Sequence, residues 1–339
     1  MSIMITGGAG YVGSHLAHAL NEAGEPIVVL DNLSTGFRAG IPDNVPLIAG
    51  SIGNRALVRS VIADYGVKTI FHCAAATVVP ESVSDPIFYY SNNTLASLAL
   101  VEAAVAEGVE HFIFSSTAAV YGNTKLNPVG EDAPTLPTSP YGSSKLMTEL
   151  MIGDIARVHQ IKYAALRYFN VAGADPDLRT GQSGRKATNL IKAAVQAALG
   201  ISKHVQIFGN DYDTPDGTCI RDYIHVSDLV RAHVSMLEYL RQGGKNMTLN
   251  CGYGHGYSVL DVIAAVKRVS GTDFPICYGE RRAGDLAAVV ADISNLNRLF
   301  CWNPIYDDLE AIVSHTLAWE RALLDRNSAA GDSVGSACD

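Results

Sequence analysis

Seven residues near the N-terminus, Gly7-Gly8-Ala9-Gly10-Tyr11-Val12-Gly13, constrain the fold more than any other segment. They directly follow a short apolar strand, Ile3 to Thr6, and open a helix expected from about Val12 to Ala23. The pattern reads GxGxxG from Gly8 and GxxGxxG from Gly7. Glycine is needed because the turn is tight, the backbone must approach a pyrophosphate closely, and the helix must pack near the strand. The N–H groups at the helix start then hold the anion. Alone, a glycine-rich turn between strand and helix is common, and the context makes this one informative. Asp31 closes the second strand, Ile27 to Leu30, 18 positions after Gly13, where a carboxylate can accept from both ribose hydroxyls. A carboxylate there repels a 2′-phosphate, which favours NAD over NADP. The competing reading makes Asp31 a turn or cap residue before Asn32-Leu33-Ser34.

Short apolar runs alternate with helical patterns beyond this loop. A helix is expected around Arg55 to Tyr65, a strand at Thr69 to His72, a long helix from about Phe88 to Glu107, a strand at His111 to Ser115, a helix around Gly142 to His159 and a strand at Tyr163 to Tyr168. Strands of four to six apolar residues without polar alternation suit a parallel sheet covered on both faces. The expected fold is α/β: a Rossmann-like doubly wound parallel sheet over residues 1–170, with 226–252 returning to it, and a smaller C-terminal α/β lobe over 171–325. A cleft between lobes follows. Residues 326–339, small and polar toward the end, are expected to form a flexible tail.

Charge and cysteine usage narrow the partners. With 25 Lys+Arg against 34 Asp+Glu the net charge is −9, which opposes general binding to a nucleic-acid backbone. Any phosphate must be held locally. The six cysteines are widely spaced, with no CxxC, and are expected to be reduced and mostly buried. No metal is expected, and His72 and His225, each beside an apolar strand, read as structural histidines. No apolar run approaches the roughly 18 residues of a membrane span, so no membrane partner is expected and the cytoplasm is the expected compartment.

Tyr141 and Lys145 stand four residues apart near the start of a helix, hence on one face. A nearby ammonium stabilises tyrosinate and lowers the phenol pKa from about 10, as a general base for an alcohol requires. The spacing alone is weak evidence. Upstream, Phe112-Ile113-Phe114 breaks into Ser115-Ser116-Thr117 at the carboxyl end of a strand, where α/β sheets place ligands. Thr117 is a candidate to align a reacting hydroxyl with Tyr141, and the alternative is that these hydroxyls cap the next turn.

Together the glycine loop, Asp31-Asn32, Ser115-Ser116-Thr117 with Val120-Tyr121-Gly122, and Tyr141 with Lys145 resemble the extended short-chain dehydrogenases/reductases. Leu166-Arg167-Tyr168-Phe169-Asn170, Ile207-Phe208-Gly209-Asn210-Asp211-Tyr212, Asp216-Gly217-Thr218, Arg221-Asp222-Tyr223-Ile224-His225-Val226 and the Arg281-Arg282-x-Gly284-Asp285 segment are similar to those of the UDP-glucose 4-epimerases. The resemblance runs from Ile3 to about Trp319. It implies a retained NAD and reversible oxidation at C4 of a UDP-hexose, with Tyr141 taking the hydroxyl proton, Lys145 tuning it and Thr117 aligning the substrate. The cofactor residues it implies are Gly7, Gly10, Tyr11, Val12, Gly13, Asp31, Asn32, Ser51, Ile52, Asn92 and Tyr168, with Tyr141 and Lys145. Those implied for the UDP-sugar are Thr117, Asn170, Asn189, Arg221, Arg282, Asp285 and Val289. Read from the residues, an Arg pair facing a diphosphate fits because guanidinium offers bidentate donors. A surface ion pair of Arg221 with Asp222 is the plainer alternative.

The chain departs from the family pattern at three positions. Ser51 replaces an Asp that contacts adenine, Thr77 replaces a Lys near the cofactor phosphates, and Val289 replaces a bulky aromatic residue beside the sugar. The first two imply weaker cofactor contacts. The third leaves room for N-acetylated sugars or a shifted preference, so UDP-N-acetylglucosamine and UDP-xylose remain alternatives. Related dehydratases and decarboxylases carry an acid just after the Ser-Thr pair, whereas Ala118 and Ala119 stand here, which favours return of hydride. A non-catalytic NAD-binding regulator is the rival of a different class. Relatives dimerise through two long helices, here expected at Phe88 to Glu107 and Gly142 to His159, so a homodimer is expected, the alternative being that apolar stripes on those helices are ordinary core.

Overall fold

In the computed structural model, residues 2–184, 189–282 and 285–335 are described, and side chains as far as Arg326. The first half of the chain alternates strand and helix: β1 (Ser2–Thr6), α1 (Tyr11–Glu22), β2 (Ile27–Asp31), β3 (Leu47–Ala49), α2 (Arg55–Tyr65) and β4 (Val67–His72). A helical stretch of α3 (Val79–Ser84), α4 (Pro86–Tyr89), a π-helical turn at Tyr90–Leu95 and α5 (Ala96–Ala106) leads to β5 (His111–Thr117), α6 (Pro140–Val158) and β6 (Lys162–Tyr168). Then come β7 (Asn170–Ala172), α7 (Leu190–Ala198), β8 (Val205–Phe208), β9 (Ile220–Arg221), β10 (Tyr223–His225), α8 (Val226–Arg241) and β11 (Met247–Cys251). The chain closes with β12 (Tyr257–Ser258), α9 (Val259–Ser270), β13 (Ile276–Gly279), β14 (Ala288–Val289), α10 (Ser294–Phe300) and α11 (Leu309–Gly335).

Seven strands form one sheet in the order β3-β2-β1-β4-β5-β6-β11, every neighbouring pair parallel. This is the Rossmann-like doubly wound arrangement, and its winding reverses between β1 and β4. That reversal opens a crevice at the carboxyl ends of the strands. Both faces are covered, so alternate strand residues enter different cores. Ile3 and Ile5 pack with Leu16, Leu20, Val230 and Leu237 of α1 and α8, while Met4 packs with Val58, Ile62, Leu100 and Ile152 of α2, α5 and α6. Full burial of each such side chain contributes about 1.5–3 kcal/mol.

Local signals set the helices. The Asn54 side chain accepts from Leu57 N at 3.2 Å to start α2, and Gly66 ends it with φ +61°. The Ser139 hydroxyl accepts from Gly142 N at 3.2 Å, and Pro140 occupies the first turn of α6. A reciprocal Ser258–Asp261 capping box opens α9. The C-terminal elements share a core in which Val195, Ile207, Val266 and Ile312 continue into Leu166 and Leu249 of the sheet. The smaller lobe is therefore seated on the β6–β11 end of the sheet.

Some expectations change. β3 has no sequence signal of its own: two half-buried residues and an exposed one at a sheet edge give no alternating window. The helix expected from Phe88 begins at Pro86 and contains the π-helical turn. Cys219 and Cys251 are buried and Cys73 half-buried, but Cys277 and Cys301 are exposed, so the cysteines are less uniformly buried than expected. Where a tail was expected, α11 continues to Gly335, and 336–339 lie outside the described residues. Among the described residues, no helix is long and apolar enough to cross a membrane.

Candidate active site

The loop after β1 is packed so closely that Gly7, Gly8 and Gly13 have no room for a side chain. A Cβ on Gly13 would stand 2.2 Å from the Gly7 carbonyl oxygen, and one on Gly7, at φ +68°, would stand 2.6 Å from Ala74 N. Gly10 caps α1 in extended conformation without any side-chain cap bond, and a Cβ there would meet only Gly7 O, at 3.2 Å. The first N–H groups of α1 thus lack a side-chain acceptor, beside backbone that presents no Cβ. This arrangement fits a pyrophosphate. Asp31 ends β2 and holds the loop in place: Oδ2 accepts from Ala9 N at 2.9 Å and Oδ1 from Leu33 N at 2.8 Å. The two readings of Asp31 are therefore compatible, because each carboxylate oxygen has a second lone pair. The Tyr11 hydroxyl donates at 2.6 Å to Gly173 O, tying the loop to the segment after β7, and Val12 packs at the edge of the C-terminal core.

The other cofactor candidates are held by local bonds and packing. Asn32 Oδ1 accepts from Ser34 N and Ser51 Oγ from Gly53 N, each at 3.1 Å, so both shape their own turns. The Ile52 side chain enters the core beneath α2. Asn92 Nδ2 donates at 3.1 Å to Oδ1 of Asn93. Asn93, which the sequence reading passed over, is the better anchored of the two. Its side chain bonds both backbone groups of Ala76, at 2.8 and 3.0 Å, and donates to Ser144 Oγ at 3.1 Å, joining the loop after β4 to α6. Two adjacent asparagines in one helix offered no signal to separate them.

Thr117, Tyr141 and Lys145 meet at the carboxyl end of β5. Thr117 lies in register with Tyr168 of β6, and its hydroxyl accepts from Ala119 N at 3.1 Å, so it also caps the next turn. Burial raises the Tyr141 pKa, and a hydrogen bond with Thr117 opposes the rise. Lys145 Nζ donates at 2.7 Å to Ser115 O and lies 4.6 Å from the centre of the Phe114 ring. Burial lowers its pKa to about 8, against the opposing pull of Cys73 and Glu149. The sequence reading had Lys145 lowering the Tyr141 pKa. In the structure Thr117 opposes the effect of burial on Tyr141, and the Lys145 ammonium, one helical turn on, sits against the Ser115 carbonyl. Cys73, unpredicted, joins this group through a 3.3 Å contact with Ser115 Oγ, which in turn meets His233 Nε2 at 2.9 Å.

A cleft of about 740 Å³ lies in the C-terminal part and is lined by Asn170, Asn189, Phe208, Arg221, Arg282 and Asp285 among others. The Asn189 side chain caps α7, accepting from Lys192 N at 2.8 Å, and donates to Gln182 Oε1 at 2.7 Å. The Arg282 guanidinium lies 3.8 Å from the centre of the Phe208 ring. Arg221 donates to Leu286 O at 2.8 Å and pairs with Asp285 at 3.4 Å, both partly exposed to the cleft. Asp222 is no surface partner of Arg221. It is fully buried and accepts from Tyr253 N, Gly254 N and Ala291 N at 2.9–3.2 Å. Val289 packs with Val120, Tyr121 and Phe169 beside the cleft rather than in its lining. Gly284 of the Arg-Arg-x-Gly-Asp segment lies outside the described residues.

The profile of the NAD dependent epimerase/dehydratase family matches residues 3–252. The UDP-glucose 4-epimerase of Azospirillum brasilense is 51% identical over 335 residues, covering 99% of this chain and 96% of that protein. A crystal structure of a UDP-glucose 4-epimerase superposes with a TM-score of 0.93 at 40% identity, covering 95% of this chain and 98% of the other. The UDP-glucose 4-epimerase from Brucella ovis, solved in complex with NAD, gives a TM-score of 0.91 at 38% identity, with 94% and 97% coverage.

Proposed function

The chain belongs to the NAD dependent epimerase/dehydratase family, and from that premise we propose that it interconverts UDP-glucose and UDP-galactose by reversible oxidation at C4. It is an NAD-dependent epimerase of a UDP-sugar. The observation that carries the choice among reactions is the end of β5: Thr117 is followed by Ala118 and Ala119, with no acid in place for elimination. A 4-keto sugar formed there has only reduction open to it.

Bound NAD supplies the acceptor and donor of the electron pair at C4. The glycine loop, Tyr11, Val12 and the N-terminus of α1 hold its pyrophosphate, Asp31 and Asn32 a ribose, and Ser51 and Ile52 border the adenine. Asn92, Tyr168 and Lys145 complete the nicotinamide end. Tyr141 takes the 4-hydroxyl proton at its phenolic oxygen and returns it in the reverse step, with Thr117 aligning that hydroxyl. Asn170, Asn189, Arg221, Arg282 and Asp285 hold the nucleotide diphosphate, where the two guanidiniums meet its charge. Epimerisation requires the 4-keto sugar to present its other face before reduction. On this reading 1–170 with 226–252 serve the cofactor and 171–325 mainly the sugar nucleotide. The cytoplasm, which supplies both, is the implied compartment.

Val289 favours a second specificity. Val289, where the family resemblance implies a bulky aromatic residue, lies just outside the cleft lining, so turnover of UDP-N-acetylglucosamine alongside UDP-glucose is a second reading, and no detectable turnover in an active preparation removes it. A homodimer is supported by exposed apolar side chains on helices packed against one another: Val83, Ile87, Leu95, Met147 and Leu150. The test of the reaction is Tyr141→Phe, which should lower interconversion by about 10²–10⁴-fold while NAD stays bound. A wild-type protein that interconverts no UDP-sugar would refute the reading and favour a non-catalytic NAD-binding regulator.

A further inference from the structure

Behind the reacting groups lies a buried ionic network that the reaction itself does not use. α6 carries Tyr141, Lys145 and Glu149 at successive four-residue steps, so the three share one face. Glu149 is 7% exposed, and its carboxylate is gripped by Arg167 of β6: Nη2 reaches Oε2 at 2.6 Å, and Nε contacts the two oxygens at 3.1 and 3.2 Å. The Ser116 hydroxyl donates to Glu149 Oε1, one residue before Thr117. Arg167 Nη1 also donates at 3.0 Å to the Tyr121 hydroxyl, which donates at 2.7 Å to Asn250 Oδ1. Asn250 Nδ2 reaches Val129 O at 2.7 Å, and Val129 N donates at 2.8 Å to Val290 O, next to Val289.

A buried ion pair is weak evidence for stability, since desolvation offsets most of its attraction. Here the pair bonds the residue before Thr117 and lies one helical turn from Lys145. We propose that Glu149, held by Arg167, is a positioning residue that fixes the Ser116–Thr117 strand end and sustains the charge of Lys145. This rests on the epimerase reading above and deepens it. The carboxylate acts on Thr117 through the Ser116 hydroxyl, and on Lys145 through space as an anion on the same helix face. The titratable groups around Lys145 are Glu149 and Tyr141 of α6, His72 of β4 and Cys73 just after it, with His233 of α8 behind Ser115. Around Glu149 they are Arg167 and Tyr163 of β6 and Tyr121. Of all these, Glu149 is the only carboxylate acting on Lys145, and it favours the ammonium.

The test compares Glu149→Gln with the double variant Glu149→Gln/Arg167→Met, which leaves no unpaired buried charge and so guards against simple unfolding, and with Glu149→Asp, which keeps the anion. Each is taken as NAD-loaded protein. Both Gln variants should lower kcat for UDP-galactose at least tenfold with little change in KM. Glu149→Gln should also move the alkaline limb of the kcat–pH profile to lower pH, and Asp should restore the limb. An unmoved limb, or a loss confined to KM, overturns the assignment to Lys145. Amide hydrogen exchange over 115–119 does not depend on which sugar turns over. It should rise in Glu149→Gln and in Ser116→Ala, and unchanged protection overturns the positioning of Thr117. An inactive wild type would sink the epimerase reading, and the exchange experiment would still decide this one.

Discussion

Lys145 Nζ donates a 2.7 Å hydrogen bond to the main-chain carbonyl of Ser115, so the helix that carries Tyr141 is pinned to the strand that carries Thr117. One side chain thereby sets the spacing of the other two. Burial holds the Lys145 pKa near 8, and the ammonium is the form that makes this bond. kcat is therefore expected to hold below pH 8 and fall above it, and Lys145→Met should cost about 10²-fold or more at pH 7. A kcat profile that is flat to pH 10 contradicts this.

The glycine loop separates folding from cofactor binding. Gly13→Ala drives a methyl into the Gly7 carbonyl and should lower Tm by several degrees and abolish NAD retention. Gly10→Ala meets only one atom at 3.2 Å and should leave Tm close to wild type, yet it fills the space before α1 and should reduce NAD released on acid treatment. Equal retention of NAD in Gly10→Ala and wild type would show that the pyrophosphate lies elsewhere.

Asp31 accepts two backbone N–H groups, so its loss acts on stability as well as on cofactor choice. Asp31→Ala leaves a buried Ala9 N–H unpaired and should destabilise by about 1–3 kcal/mol. Discrimination against NADP should fall too. Denaturant unfolding and cofactor exchange measure the two effects separately.

Four buried histidines are neutral in the fold. Burial depresses His72 and His225 to about 3 and His15 and His233 to about 4, from 6.5. The unfolded chain binds more protons over that interval, so stability is complete above pH 6.5 and is lost as pH falls toward 4. Each depressed group therefore adds to the loss of stability in acid. Acid unfolding should begin well above the pH at which carboxylates titrate. A Tm unchanged between pH 7 and 4.5 would contradict it.

Ile87 and Leu150 are 78% and 60% exposed on the face proposed for self-association. Leu150→Glu places a charge there and should shift the sedimentation coefficient from that of a dimer to that of a monomer, with little loss of monomer fold. A wild type that sediments as a monomer at micromolar concentration rejects the dimer.

The legible part of this protein is its local chemistry. The glycines between β1 and α1, the acid at the end of β2, and the Tyr141–Lys145 spacing speak through turn geometry and helix period, which act over a few residues. The sheet was legible for the same reason, since strands buried on both faces are apolar throughout. Tertiary structure decided whatever depends on partners far apart in sequence. It set Lys145 on the Ser115 carbonyl, buried Asp222 against three amides from two other segments, and joined Glu149 to Arg167 beneath Thr117. Each is a charged group whose role follows from what surrounds it once water is excluded, and that environment is assembled only by the tertiary fold: β5, β6 and α6 for Lys145 and Glu149, and the segments at 253–254 and 291 for Asp222.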